Sequence, residues 1–356
     1  MSATPNGAAG MSSARELFLV GSISLRDSAA VFNEVGGLLG HALRRIPDGE
    51  TGERLGWLEW LGPGFAAHPL LEAVSSEGDW RNVTAPDKWK HRTWYRLKPG
   101  ADTAGVEFDD IGYARNAIAS FAEFRKAKNA GVLPGHVRFM IAIPTPFNAV
   151  NQHFAPDQRA LLEPRWEAGL KREVDRIAEA LPHDEISIQW DCAHDMQAYD
   201  GARETWFEPA RPGIVARMLR MGAHVPADIE MGYHLCYGSF GGKHFVEPED
   251  MGAMVDLANN LAAGLARPLH WLHMPVPVGR DDDAYFAPLG GLEQRPETAV
   301  YLGLIHDSDG AAGTERRMAA ASRHLPRYGI ATECGFGRRP PETIAELLDL
   351  HASLAG

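Results

Sequence analysis

Short apolar runs alternate along this chain with longer stretches whose apolar residues recur at helical spacing. Residues 17–22, Leu-Phe-Leu-Val-Gly-Ser, read as a buried strand ending in a Gly-Ser turn, and residues 27–39 as a helix with Asp27 or Ser28 as N-cap. Residues 43–47 predict a second strand, followed by the acidic turn Asp48-Gly-Glu50-Thr-Gly-Glu53-Arg54. Between 57 and 105 the periodicity gives way to Trp, Pro and Gly, with Trp57, Trp60, Trp80, Trp89 and Trp94 crowded together. So long an irregular excursion marks a functional loop or lid, or rings that pack the excursion onto the body of the protein. A helix over 108–129 and a strand over 137–143 follow, the strand stopped by Pro144 and Pro146. The second half is more regular. Strands are predicted at 185–191, 230–236, 268–275, 298–305 and 329–335, separated by helices over 166–181, 214–221, 248–265 and 314–324, and residues 341–354 close the chain as a helix.

Strands separated by helices pair in parallel, because parallel neighbours need a crossover connection. Eight of them close most economically as an α/β TIM barrel, (β/α)8, here with a long irregular insertion after strand 2. A doubly wound open sheet is the alternative, but no GxGxxG follows the first strand. The reading is one domain over 15–356, with 1–14 a disordered Ser/Ala/Gly tail and 57–105 the lid-like excursion.

A barrel carries its chemistry at the C-terminal ends of its strands. Those ends are Gly21-Ser22, Asp48-Gly-Glu50, Pro144, Asp191, His234/Cys236, His273, His306-Asp307 and Cys334, reactive types everywhere except Pro144. His234 and Cys236 stand two apart, so on a strand both face one way. Imidazole and thiol are ligands that Zn²⁺ prefers, although a core histidine beside a buried thiol gives the same pattern. Charge and composition exclude several classes. The chain has 356 residues, 45% hydrophobic and 23% charged, with net charge −12 and no Lys/Arg run, which argues against nucleic acid and anionic membrane as partners. Three cysteines are no disulfide framework, no apolar run approaches a membrane span, and a reducing cytoplasm is the expected location. The expected partner is a small-molecule substrate, and a homo-oligomer is compatible with the sequence.

The strand-end stretches resemble, in order along nearly the whole chain, the C-terminal catalytic barrel of cobalamin-independent methionine synthase, within the larger group that includes uroporphyrinogen decarboxylase. Val20-Gly21-Ser22 is similar to that family's Ile-Gly-Ser, and Gly49-Glu50 with Glu53-Arg54 to its His-Gly-Glu and Glu-Arg. Ile188-Gln-Trp-Asp191 resembles Ile-Gln-Ile-Asp-Glu-Pro, and His234-Leu-Cys236-Tyr resembles His-Met-Cys-Tyr. His306-Asp307-Ser308 stands where the family has Asp-Ile-His-Ser, and Glu333-Cys334-Gly335 where it has Asp-Cys-Gly.

The resemblance implies a TIM barrel and zinc ligands His234, Cys236 and Cys334, with His273 in place of the family's glutamate, or His270 in a shifted register. It implies that Gly21, Ser22, Glu50 and Asp191 bind substrate. Glu50, Asp191, His306 and Asp307 are the candidates for catalytic proton transfer, while a solvated acidic turn is the plainer reading of Asp48, Glu50 and Glu53. A folate-stacking Asn-Gly-Trp segment is not recognisable, so methyltetrahydrofolate is not the expected donor. The function implied is a zinc-dependent methyl or alkyl transferase that activates a thiol, such as a small thiol substrate, as zinc thiolate. A zinc-dependent hydrolase or lyase on a small substrate, aromatic ones included, and a barrel with a purely structural metal are the alternatives.

Overall fold

In the computed structural model, which describes residues 15–75, 93–240, 243–244 and 246–355, the apolar runs become neighbours in one parallel sheet. It has seven strands in sequence order. They are β1 (Arg45–Pro47), β2 (Arg138–Pro144), β3 (Ile186–Cys192), β4 (Glu230–Leu235), β5 (Trp271–Pro275), β6 (Ala299–Ile305) and β7 (Gly329–Thr332). Adjacent strands in the sheet are also adjacent in sequence, the arrangement that helical crossovers produce. The first predicted strand is not a regular one. Leu17 instead makes isolated parallel bridges to Leu43 and Ile330, beside the two edge strands, and Ser22 and Ile23 bridge Gly49 and Phe336. Its backbone is tied on both sides, Leu17 N–H donating to Ala42 O at 2.9 Å and Phe18 N–H to Ile330 O at 2.9 Å. The ladder is discontinuous there because β1 is only three residues long and Arg44 interrupts its pairing.

The crossover elements are α1 (Tyr113–Asn129), α2 (Pro146–His153), α3 (Arg159–Ala180), α4 (Ala193–Tyr199), α5 (Ala210–His224), α6 (Gly252–Gly264), α7 (Gly310–Ala321) and the closing α8 (Ile344–Ala355). The helix predicted over 108–129 begins only at Tyr113, because Gly112 takes φ +110°, and the buried Glu173 carboxylate accepts from Ala114 N–H at 2.6 Å and Ile111 N–H at 3.2 Å. At 27–39 Asp27 caps the helix as expected, accepting from Ala30 N–H at 2.8 Å, but residues Val31–Val35 wind as a π-helix. The excursion over 57–105 contains a short helix, Gly62–Ala67, and an antiparallel pair, Leu71–Ser75 with Thr93–Leu97. Trp80 and Trp89 lie outside the described residues, as does the predicted 1–14 tail.

Apolar side chains cover both faces of the sheet. One large cluster packs the helices against it, and a second small one gathers Phe18, Val20, Met140, Trp271, Tyr301 and Ala331. Within the latter, the Trp271 indole fills the space above Gly232, where any side chain would overlap the ring, and Arg45 lies 4.2 Å over it. This packed floor lies below the strand ends, so ligands are confined to the level of residues such as His234 and beyond.

Against Phe336 from the turn after β7, α8 buries His351 completely. Its Nδ1–H donates to Leu347 O at 2.6 Å, and Nε2 is buried without a partner. Burial pushes this imidazole from 6.5 down to about 4. Between those values the unfolded chain holds the proton and the folded chain does not, so stability falls as pH drops from 6.5 towards 4. Above that window His351 contributes no pH dependence. His351→Phe should lower the acid loss by on the order of 3 kcal/mol. Urea unfolding of both proteins at pH 7 and pH 4.5 checks this; an equal acid loss in the two would contradict it.

Candidate metal centre

β4 carries His234 near its end, and the chain stays extended long enough for Cys236 to face the same way. Gly238 then turns with φ +72° and brings its N–H to Cys236 Sγ at 3.2 Å. Cys334 arrives from the far side of the sequence, on the turn after β7, where Thr332 Oγ1 donates to Cys334 O at 2.7 Å. One donor atom from each of His234, Cys236 and Cys334 lies within 4.8 Å of the others, the only such group among the described residues. All three cysteines are free, and the remaining one, Cys192, is buried, its thiol pushed well up by burial. The Cys334 thiol is held well below its ordinary value, chiefly by a hydrogen bond from Cys236, whose own thiol is raised by the same contact.

The donor set suits a borderline metal: two soft sulfurs and an imidazole whose Nε2 is buried and has no hydrogen-bond partner. Three protein donors leave a tetrahedral site one position short. His273, expected from the sequence as a fourth donor, is not among the three that the structure groups together. It is fully buried, with Nδ1 2.7 Å from His234 Nδ1 and Nε2 3.0 Å from Thr332 O, and its ring stacks on Phe18. Parallel register makes His234 and His273 direct neighbours, and their Nδ1 atoms meet. His270 is no substitute, since its Nδ1 accepts from Met231 N–H at 3.1 Å.

Gly21, Ser22, Glu50 and Asp191 line the same pocket as the three donors. Asp191 is nearly buried and accepts from Gln189 Nε2 at 2.9 Å and from the Trp57 side chain. Burial raises its carboxyl to about 6, with the hydrogen bonds from Gln189 and Trp57 opposing the rise. Glu50 is raised well above the usual range, first by burial and then by the Asp191 charge. The acidic turn is not solvated throughout: Asp48 is buried, accepting from Arg54 at 2.6 Å, Ser120 Oγ at 2.7 Å and Glu50 N–H at 2.9 Å. That clamp holds Glu50 at φ +45°, while Gly49 turns with φ +78° against Val31. Glu50 and Trp57, at φ +61°, are the two non-glycine residues with positive φ among the described residues. Both line the pocket, where backbone strain commonly gathers.

His306 and Asp307 are not brought to the pocket. His306 Nε2–H donates to Val276 O at 2.8 Å and Nδ1 lies 3.4 Å from Glu333, its pKa pushed down to about 4 by burial. Asp307 is paired with Arg339 at 2.5 Å on the outside. The structure supplies residues the sequence reading passed over: Gln152, His194 and Arg338 line the pocket, Arg338 within 4.0 Å of Cys334 Sγ. Two of them come from α2 and α4, short helices with every residue buried and no apolar period to reveal them. Asn148 pins the β3–α4 turn from which His194 emerges, accepting from His194 N–H at 2.7 Å and donating to Asp191 O at 3.0 Å. The signal available in the sequence is the run of Asn, Gln and His after the strands ending at Pro144 and Cys192, which amphipathic counting treats as loop.

No family model matches the chain, and no curated protein does. Solved structures do. A vitamin-B12 independent methionine synthase from Listeria monocytogenes, itself described as putative, aligns with a TM-score of 0.55 at 14% identity, covering 92% of this chain and 86% of that one. A B12-independent methionine synthase from a Shewanella species, in complex with selenomethionine, aligns with a TM-score of 0.58 at 13% identity and the same coverages, 92% and 86%. At such identity the likeness is one of fold. No helix among the described residues is long and apolar enough to cross a membrane.

The geometry predicts about one tightly held Zn²⁺ per chain. Cys334→Ser should remove most of it, because that donor comes from a separate strand end. Elemental analysis of purified wild type and variant checks this; zinc-free wild type with freely alkylated thiols would overturn it.

Proposed function

We propose that this chain is a zinc-dependent transferase that activates a substrate thiol for methyl or alkyl transfer, built on a (β/α)8 barrel closed by residues 17–22 as the eighth strand. The observation that carries the reading is the cluster of His234, Cys236 and Cys334 at one wall of a pocket that also holds Glu50 and Asp191. Three protein donors lining a pocket would suit a catalytic metal better than a structural one, which four protein ligands would close. The similar structures support the same direction, one described as a putative B12-independent methionine synthase and the other as a B12-independent methionine synthase in complex with selenomethionine, a methylated selenium amino acid. Two free thiols in the site suit a reducing cytoplasm.

Zn²⁺ bound there supplies the Lewis acidity that makes a thiol ionise at neutral pH and holds its sulfur in place. The chain's own residues supply the rest. Gly21 lets the Glu50 carboxylate come close to the backbone at the pocket wall, where a Cβ would stand 3.2 Å from Glu50 Oε1. Gln189 and Trp57 orient Asp191 from two sides. Burial and mutual repulsion keep Glu50 and Asp191 from ionising together, so at neutral pH the pair accepts and donates hydrogen bonds to a polar or cationic part of the substrate. Asp191, with a pKa of about 6, is ionised at pH 7 and can take the thiol proton. The sulfur then attacks the donor carbon, and the leaving group departs with the bonding electron pair.

A second reading has one observation behind it. Carboxyls raised towards neutrality also suit a general base that takes a proton from water, as a hydrolase or lyase requires.

One pair of measurements separates the two. X-ray absorption of the zinc-loaded protein with L-homocysteine should show added sulfur at about 2.3 Å beyond that of the protein thiolates. Glu50→Gln should lose thiol methylation by roughly 10²-fold or more while keeping its zinc. An unchanged zinc shell on thiol addition, with an oxygen neighbour retained, would favour the hydrolytic reading.

A further inference from the structure

The ring of His273 has no place in the thiol cluster, yet it is fully buried and hydrogen-bonded at both nitrogens. We propose that His273 is a positioning residue: it relays the Thr332 carbonyl through its ring to His234, setting the tautomer that leaves His234 Nε2 free to bind a metal. The inference rests on the metal reading above and adds the device that prepares one of its ligands.

A backbone carbonyl can only accept, so His273 Nε2, 3.0 Å from Thr332 O, carries a hydrogen. An uncompensated charge in that position is costly, since His273 is fully buried and its face is stacked on Phe18 at 5.6 Å. The ring is therefore neutral, and its Nδ1 offers a lone pair. His234 Nδ1 stands 2.7 Å away and must be the donor. A neutral His234 protonated on Nδ1 has a bare Nε2, an atom that is buried and donates to no neighbour, while a ring nitrogen of His234 lies within 4.8 Å of both sulfurs and the ring interacts with the Cys334 thiol. The opposite tautomer would put two lone pairs against each other at 2.7 Å and aim an N–H at the metal position.

The chain segment at the end of β7 takes part twice. Its Thr332 carbonyl starts the relay and its Cys334 supplies a sulfur, the two linked by Thr332 Oγ1 donating to Cys334 O at 2.7 Å. Outer partners that fix the tautomer of a metal-bound histidine typically alter metal affinity by 10–100-fold. Gln can reproduce the relay, with a carbonyl oxygen towards His234 and an amide N–H towards Thr332, whereas Leu reproduces neither.

Two measurements test it on the full chain. In metal-free wild type, ¹⁵N NMR of labelled histidines should show His234 protonated on Nδ1. In a chelator competition, His273→Leu should bind Zn²⁺ about 10–100-fold more weakly, and His273→Gln should recover most of that loss. His234 protonated on Nε2, or wild-type zinc affinity in His273→Leu, would overturn the relay. Should His273→Leu fail to fold by circular dichroism, the wild-type tautomer and the His273→Gln affinity still decide. A wild type that binds no zinc sinks the metal reading instead, and the tautomer measurement then judges the relay by itself.

Discussion

Parallel register across three strands holds the site together. Asp191 of β3, His234 of β4 and His273 of β5 are direct partners in neighbouring ladders, so their side chains leave the sheet on one face in a single row. A slip of one residue in β4 would send His234 to the opposite face and separate it from both neighbours. The row ranks three environments side by side: a carboxyl raised by burial, an imidazole with one free nitrogen, and an imidazole with none. Backbone hydrogen bonding sets that spacing before any side chain contributes.

Beneath and above the row the packing is of different kinds. Beneath lie the rings of Phe18, Trp271 and Tyr301, with Gly232 making room for the indole. This floor excludes water and makes the hydrogen bonds of Gln189 and His273 more consequential. Gln189 spans the boundary, accepting from Trp271 Nε1 and donating to Val20 O and Asp191. Above, the chain spends buried space on polar residues. Thr145, Asn148 and Asp195 hydrogen-bond one another between β2, α2 and α4, with burial raising Asp195 to about 7. Such a network offers little net stability, but it fixes the turns that deliver His194 and Gln152 to the pocket. The strained Glu50 and Trp57 complete the same picture on the opposite wall.

The apolar alternation by itself determined the order of strands and helices. The short apolar runs at 137–143, 185–191, 230–236 and 298–305 stand apart from the helical stretches around them, so local physics is enough to place them. The His-x-Cys spacing and the Cys334 turn were legible for the same reason, since residues two apart on a strand share a face whatever surrounds them. Helices α2 and α4 were not legible, because burial of Asn, Gln, His and Asp depends on partners more than 40 residues away, as in the Asn148–Asp195 contact.

Tertiary structure alone decided what the His273 ring meets. The residue type and its strand position are equally consistent with a metal ligand and with a buried partner of one. What separates these is whether a carbonyl lies within reach of the far nitrogen, and that carbonyl belongs to Thr332, 59 residues on. The same holds for His306 and Asp307, turned aside by Val276, Glu333 and Arg339. Sequence spacing determines which way a side chain leaves its own strand. Only the packing of distant strands determines what it meets there, because hydrogen bonds to a buried ring are short-ranged and come from chain that periodicity cannot see.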